Sequence, residues 1–142
     1  MIVVDLNLLV YATNEDALLH ERARRWWESL LSRGEAVGLA WTVVLGFLRL
    51  TTNHKVMPRP LAPEQAMAII EDWFAQPSVR PLEPTERHWE ILKEILTPLG
   101  TAGNLTSDAH LAALAIEHGA RLFSTDNDFA RFAGLRWLNP LS

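Results

Sequence analysis

Short runs of β-forming residues alternate along this chain with stretches whose apolar residues recur at helical spacing. That alternation predicts an α/β fold with a short central, mainly parallel sheet flanked by helices. The strand candidates are residues 2–6 (IVVDL), 36–40 (AVGLA), 78–82 (SVRPL), 121–124 (RLFS) and 135–138 (LRWL). Leu19, Ala23, Trp26, Trp27, Leu30 and Leu31 repeat at three and four with charges between them, so residues 17–32 are expected to form an amphipathic helix that Gly34 stops. Residues 42–52 (TVVLGFLRLTT) are apolar on most sides and read as a buried helix, although their β-branched content leaves a strand open. Pro63 suits the first turn of the next helix, with Met67, Ile70, Trp73 and Phe74 on its inner face and Pro77 closing it. From Thr85, the residues Trp89, Leu92, Ile95 and Leu96 repeat the pattern until Pro98 and Gly100 break it. GTAGN then reads as a flexible loop. Thr106 or Ser107 is expected to cap the helix DAHLAALAIEH, and Gly119 to end it in a left-handed conformation.

The 142 residues, 49% hydrophobic and 21% charged, suit one globular domain over 1–142 with a substantial core. The absence of cysteine excludes disulfides, zinc–thiolate sites and thiol catalysis, and favours a cytoplasmic setting. No basic stretch leads into a long apolar one at the N-terminus, and no apolar run reaches the length of a bilayer span, so no membrane association is expected. The net charge of −4 argues against a nucleic-acid partner, but residues 20–60 differ: Arg22, Arg24, Arg25, Arg33, Arg49, Lys55 and Arg59 face only Glu21, Glu28 and Glu35, a local net charge of +4. Solvated helix faces and a phosphate-binding surface explain that segment equally well.

Aspartates fall where strands end or helices begin: Asp5 in IVVDLN, Asp108 in TSDAHLAALA, and Asp126 and Asp128 in STDNDF. Asp5 closes an apolar run, where a lone ionised carboxylate would cost several kcal/mol, so something positive is expected beside it. In an open α/β sheet, ligands bind beyond the carboxyl ends of the strands, which is where Asp5 and Asp126 fall. Asp108 sits in a first helical turn, where the macrodipole favours its ionised form. Carboxylates crowded together raise one another's pKa unless a cation compensates, and hard oxygen ligands suit Mg²⁺ or Mn²⁺. Structural roles compete. Asp108 can complement a helix dipole, Asp126 can form an Asx turn, and Asp128 is read mainly as the cap of a short helix begun by Phe129. Asn7 reads as a cap or turn residue orienting Asp5, and Thr125 as a turn residue or a hydroxyl near the site. His20, His54, His88, His110 and His118 lack the spacing of a zinc or catalytic motif, with His110 and His118 placed on a helix surface. Trp26 and Trp27, about 100° apart on a helix, widen its apolar face and are candidates for an interface, with core packing as the competing account.

On VVDLNLLVYA, FLRLTTNHKV and SDAHLAALAIEHGARLFSTDNDFARFAGLRWLNPL, the chain resembles PIN-domain ribonucleases, specifically the VapC-type toxins of bacterial type II toxin–antitoxin systems. The resemblance spans nearly the whole chain. It implies that Asp5, Asp108 and Asp126 are the metal-binding and catalytic positions, with Asp128 in support, and Asn7 and Thr125 join the supporting residues on the reading given above. It also implies hydrolysis of structured RNA such as tRNA to 5′-phosphate and 3′-hydroxyl ends, a VapB-like antitoxin that lays apolar helical residues into a groove, and a homodimer. Arg49, Lys55 and Arg59 are the candidate phosphate contacts.

Gly46 departs from that pattern, which usually places a glutamate just before the FLR-like segment. No carboxylate lies a helical turn away, at Thr42, Val43, Arg49 or Leu50. Three alternatives stay open: a small residue tolerated in some branches, a site with fewer protein ligands and more water, or lost activity, natural or engineered. Gly46 therefore also motivates a non-catalytic PIN-like RNA- or protein-binding module. A phosphatase with Asp5 as nucleophile is a third candidate, but Asn7 stands where such enzymes usually carry a second acid, and Lys55 and Lys93 lack a matching context.

Overall fold

In the computed structural model, which describes residues Met1–Ser142, the two most apolar strands lie at the centre. Strand β1 (Ile2–Val4) is buried at every position, as expected of a parallel strand covered on both faces. Helix α1 (Leu6–Thr13) and helix α2 (His20–Ser32) follow, then strand β2 (Val37–Ala40), also buried throughout, and helix α3 (Trp41–Thr51). Helix α4 (Pro63–Ala75), strand β3 (Val79–Leu82), helix α5 (His88–Leu96), helix α6 (Thr106–Glu117) and strands β4 (Arg121–Phe123) and β5 (Trp137–Leu138) complete the order. The five strands form one parallel sheet in the order β3-β2-β1-β4-β5. Pro81 lies on β3, an edge strand, where its missing N–H breaks no ladder. The α/β expectation therefore holds, with every strand pairing parallel.

The strand order reverses beside β1, which pairs with β2 on one side and β4 on the other. Connections from β1 and β4 leave in opposite directions there, and the crevice between them is the usual ligand position in such sheets. The chain enters that crevice sooner than residues 2–6 implied. Asp5 leaves the sheet as the N-cap of α1, its N–H donating to Phe123 O at 3.0 Å and its Oδ1 accepting from Leu6 N at 2.8 Å. Helix α1 itself was not anticipated, and Asn7 lies within its first turn rather than capping it.

For residues 42–52 the structure selects the helix. Val43, Val44, Phe47 and Thr51 form its buried stripe, with the Phe47 ring edge-on to Trp73 at 4.6 Å between centroids. Packing of that face outweighs the weak propensity of β-branched residues. Trp27 meets Trp73 edge-on at 6.0 Å and Trp26 lies over Phe123 at 5.8 Å, so this pair packs into the core rather than forming a free apolar face. Two residues assigned to inner faces point outward: Met67 is 44% and Trp89 65% exposed.

Helix α6 starts without a side-chain cap. Leu105 occupies the N-cap position, the Thr106 hydroxyl donates to Gly103 O, and part of the expected loop tightens into a 3-10 turn over Gly103–Leu105. Its far end is secured more firmly. Gly119 has φ +65°, and the bonds Ala120 N to Ala115 O and Gly119 N to Ile116 O close a Schellman motif that feeds β4. Glu117 Oε1 accepts from Thr85 N and Oε2 meets His88 Nδ1 at 2.7 Å, while His88 Nε2 meets His110 Nδ1 at 2.9 Å. His110 is therefore no free surface residue but part of the seam between α5 and α6. His118 Nε2 lies 2.9 Å from Glu83 O.

Because an L side chain in the left-handed region costs roughly 1–2 kcal/mol, Gly119→Ala is expected to destabilise the fold by about that amount in urea denaturation.

Candidate metal centre

Ser124, the residue directly after β4, organises the crevice. It is fully buried, and its Oγ donates to Asp5 Oδ2 at 2.6 Å while accepting from Asp126 N at 3.0 Å. Trp137 Nε1 fixes the same residue by donating to Ser124 O at 3.0 Å. With Leu6 N on Oδ1 and Ser124 on Oδ2, both oxygens of Asp5 have a donor, which orients the carboxylate and lowers its nucleophilicity. That arrangement counts against Asp5 as a phosphatase nucleophile. Burial pushes the Asp5 pKa up, the bonds from Ser124 and Leu6 oppose this, and the charge of Asp126 adds to the rise.

Asn7 Nδ2 donates to Thr125 Oγ1 at 2.8 Å, tying the first turn of α1 to the segment after β4. The Asn7 Oδ1 atom is buried without a partner, leaving an acceptor oxygen in the crevice wall. Asp126 caps the 3-10 turn Asn127–Arg131, its Oδ1 accepting from Asp128 N at 2.9 Å. The capping role assigned to Asp128 belongs to Asp126. Asp128 is left free to join the acidic group, and one carboxylate oxygen from each of Asp108, Asp126 and Asp128 lies within 4.8 Å of the others.

Asp108 occupies the first turn of α6 as expected. Its pKa is pushed up to about 6, first by burial and then by the charges of Asp5, Asp126 and Asp128. Four carboxylates so arranged repel one another, and an oxygen-ligated divalent cation is the chemistry that relieves the repulsion. The residues fit such an ion: the donors are hard oxygens, three of them converge, and Asp5 is held beside them.

Asp5 and Leu6 form the common wall of two clefts. One, about 330 Å³, is lined by Asp5, Leu6, Thr42, Leu45, Arg49 and Asp108, and the other, about 370 Å³, by Asp5, Leu6, Asn7, Tyr11, Leu50 and Asp126 among others. Arg49 thus reaches the acidic crevice. Arg59 does not: it forms a two-pronged pair with Asp16 at 2.9 and 3.2 Å in a separate cleft beside Met57 and Leu61. Lys55 is exposed, in a turn fixed by its own N–H on Asn53 Oδ1. Arg24 and Arg25 are paired with Glu21 and Glu28, so the basic segment is no continuous phosphate-binding face. Ser124 and Leu6 escaped the sequence reading. The signal for Ser124 was present in STD, a hydroxyl at the carboxyl end of a strand two residues before an aspartate.

Known proteins share this fold. Residues 2–135 match the PIN domain family model. The chain is 47% identical over 140 residues to the ribonuclease VapC37 of Mycobacterium tuberculosis, covering 99% of this chain and 97% of that one. Among solved structures, VapBC-1 from nontypeable Haemophilus influenzae matches with TM-score 0.70 at 19% identity over the whole of both chains. The Mycobacterium tuberculosis toxin VapC20, described as cleaving the sarcin-ricin loop, matches with TM-score 0.63 at 20% identity, over 96% of this chain and 99% of that one. With its acidic crevice at the reversal point of a parallel sheet and near-complete coverage by these matches, the chain belongs to the PIN-domain family and, within it, to the VapC ribonucleases.

Proposed function

We propose that this protein is a metal-dependent endoribonuclease, the toxin of a toxin–antitoxin pair, that hydrolyses phosphodiesters in structured RNA such as tRNA. The observation that carries this is the convergence of Asp108, Asp126 and Asp128 beside Asp5, at the carboxyl ends of β1 and β4. These four residues would hold Mg²⁺ or Mn²⁺, with Asp5 oriented by Ser124 and by Leu6 N–H. When bound, the cation polarises a phosphate oxygen and lowers the pKa of the attacking water. Arg49, on the cleft wall, offsets the charge of the carboxylates toward an incoming phosphate, and the exposed Lys55 extends that path; Arg59, held by Asp16, does not. The names of VapC37 and VapC20 support an RNA substrate, and the VapBC structural relative supports a VapB-like antitoxin. Leu45, 59% exposed on the rim of the acidic cleft, offers apolar surface for an antitoxin helix. A homodimer fits the same reading.

A second reading, a PIN-like module that binds RNA without cutting it, is favoured by Gly46, because α3 brings no carboxylate to the cleft. Cleavage assays on tRNA and ribosomal RNA fragments, with Mg²⁺ or Mn²⁺ and with chelator, separate the two. Metal-dependent cleavage that Asp5→Asn and Asp108→Asn each abolish is expected; RNA binding without cleavage by the parent would establish the module instead. Ser124→Ala, which removes the donor to Asp5 Oδ2, is expected to lower metal affinity or activity about 10- to 100-fold.

A carboxyl whose pKa rises on folding keeps its proton in the folded chain at a pH where the unfolded chain has lost it. Asp108 therefore lowers the stability of the metal-free protein as pH rises from about 4 to about 6. Urea denaturation in chelator across that window should show the decline, and Asp108→Asn should flatten it. Saturating Mg²⁺ should oppose it by favouring the ionised form.

A further inference from the structure

Asp5 and Leu6 separate two clefts, and the two differ in charge. The cleft between α3 and α6 carries Arg49. The other is built from one face of α1, where Asn7, Val10 and Tyr11 stand at i, i+3 and i+4, and Leu50 of α3 completes its lining. It holds no cation. Its polar members are Asn7, whose Nδ2 is bonded to Thr125 Oγ1, and the carboxylates of Asp5 and Asp126, which belong to the acidic crevice. Leu6, Val10 and Tyr11 pack against the core yet stay part-exposed, and His20 Nδ1, 2.8 Å from Tyr11 O, fastens the end of α1. The rings of Trp26, Trp27, Phe47 and Trp73 pack on other aromatic rings, whereas that of Tyr11 has no aromatic partner in the fold. A phosphate is repelled from a cleft with two carboxylates and no cation. A nucleobase, flat and uncharged, gains there from the apolar walls and the aromatic ring.

We propose, resting on the RNA reading above, that the cleft between α1 and α3 seats one unstacked nucleobase of the RNA, with Tyr11 as its stacking surface and Leu50 as a further wall. The base belongs to a nucleotide next to the phosphate that enters the acidic crevice. Each nucleotide of RNA carries one charged and one flat apolar part, and the two clefts match them: Arg49 draws the backbone to one side of Asp5, and Tyr11 takes a base on the other. Tyr11 binds substrate and does not touch the reacting phosphate.

The test couples one side chain to one base. Binding of a single-stranded RNA heptamer of mixed sequence, and of forms of it lacking the base at each position in turn, is read by fluorescence anisotropy in Mg²⁺ on the Asp108→Asn background, which keeps the RNA uncut. Tyr11→Ala is expected to weaken the intact heptamer about 5- to 150-fold, the range of base–aromatic stacking. It should also abolish the cost of removing the base at one position, because one contact cannot be lost twice. Tyr11→Phe should keep both effects of the parent. Arg49→Ala should reduce the slope of log affinity against log salt by about 0.7 and leave the cost of the missing base in place. Tyr11 is the one tyrosine of the chain, so 3-fluorotyrosine gives a single fluorine resonance that reads the same contact without a substitution, and it decides the matter if Tyr11→Ala does not fold. That resonance should shift with the intact heptamer and not with the form lacking the coupled base. Losses that add at every position, or a resonance indifferent to which base is missing, overturn the base seat even when the parent cleaves RNA with Mg²⁺. Coupling of Tyr11 to one base, with no cleavage by the parent, refutes the nuclease reading and upholds the seat. A heptamer that does not bind overturns the seat, whatever other RNA the parent cleaves.

Discussion

The 2.6 Å hydrogen bond from Ser124 to Asp5 joins the ends of two strands that are neighbours in space and 119 residues apart in sequence. Parallel pairing of β1 with β4 brings those ends level, and reversal of the strand order beside β1 leaves the space above them clear of crossing connections. Three of the four acids in the crevice hang from this junction, and Asp108 comes from α6. Asp126 takes its backbone position from the same hydroxyl, and Asp128 takes its own from Asp126. A buried serine is well suited to the task, because one hydroxyl can donate to a carboxylate and accept from a backbone N–H at once.

Crowding makes the crevice a poor place for the bare protein and a good one for an ion. Asp108 carries the repulsion most visibly, because it is partly buried and faces three other carboxylates, whereas Asp5 has donors on both oxygens to offset its burial. Arg49 is the one cation of the proposed phosphate contacts that the fold delivers to the cleft. Elsewhere in the basic segment Arg24 and Arg25 are spent on Glu21 and Glu28 of the same helix and Arg59 on Asp16, and exposed pairs of that kind add little to stability.

The strands, five of the six long helices and the positions of Asp5, Asp108 and Asp126 were legible in the sequence, because each rests on local pattern: β-forming runs, helical period, and an acid next to a strand end. What escaped was decided by contacts distant in sequence. Helix α1 carries no charged residue, so LNLLVYAT gave no polar face by which to see its period. Asp126 and Asp128 offer the same capping chemistry, and the hydrogen bond that the Asp126 N–H donates to Ser124 Oγ sets Asp126 in the capping place. Arg59 was a plausible phosphate ligand until the fold placed Asp16, 43 residues away, against it. Met67 and Trp89 fitted an apolar period yet lie outside, because periodicity marks a stripe without fixing its width.

Helix α6 is held unequally at its two ends. The Gly119 turn and the Glu117, His88 and His110 seam fasten its C-terminal end to β4 and α5, whereas its first turn follows a short 3-10 segment and has no side-chain cap. Asp108 rides on that first turn. The helix is thus bonded chiefly at its far end, while the buried Leu105 and Ala109 seat the turn that carries Asp108. The place of Asp108 among the four carboxylates is therefore set by packing beneath that turn and not by a capping bond.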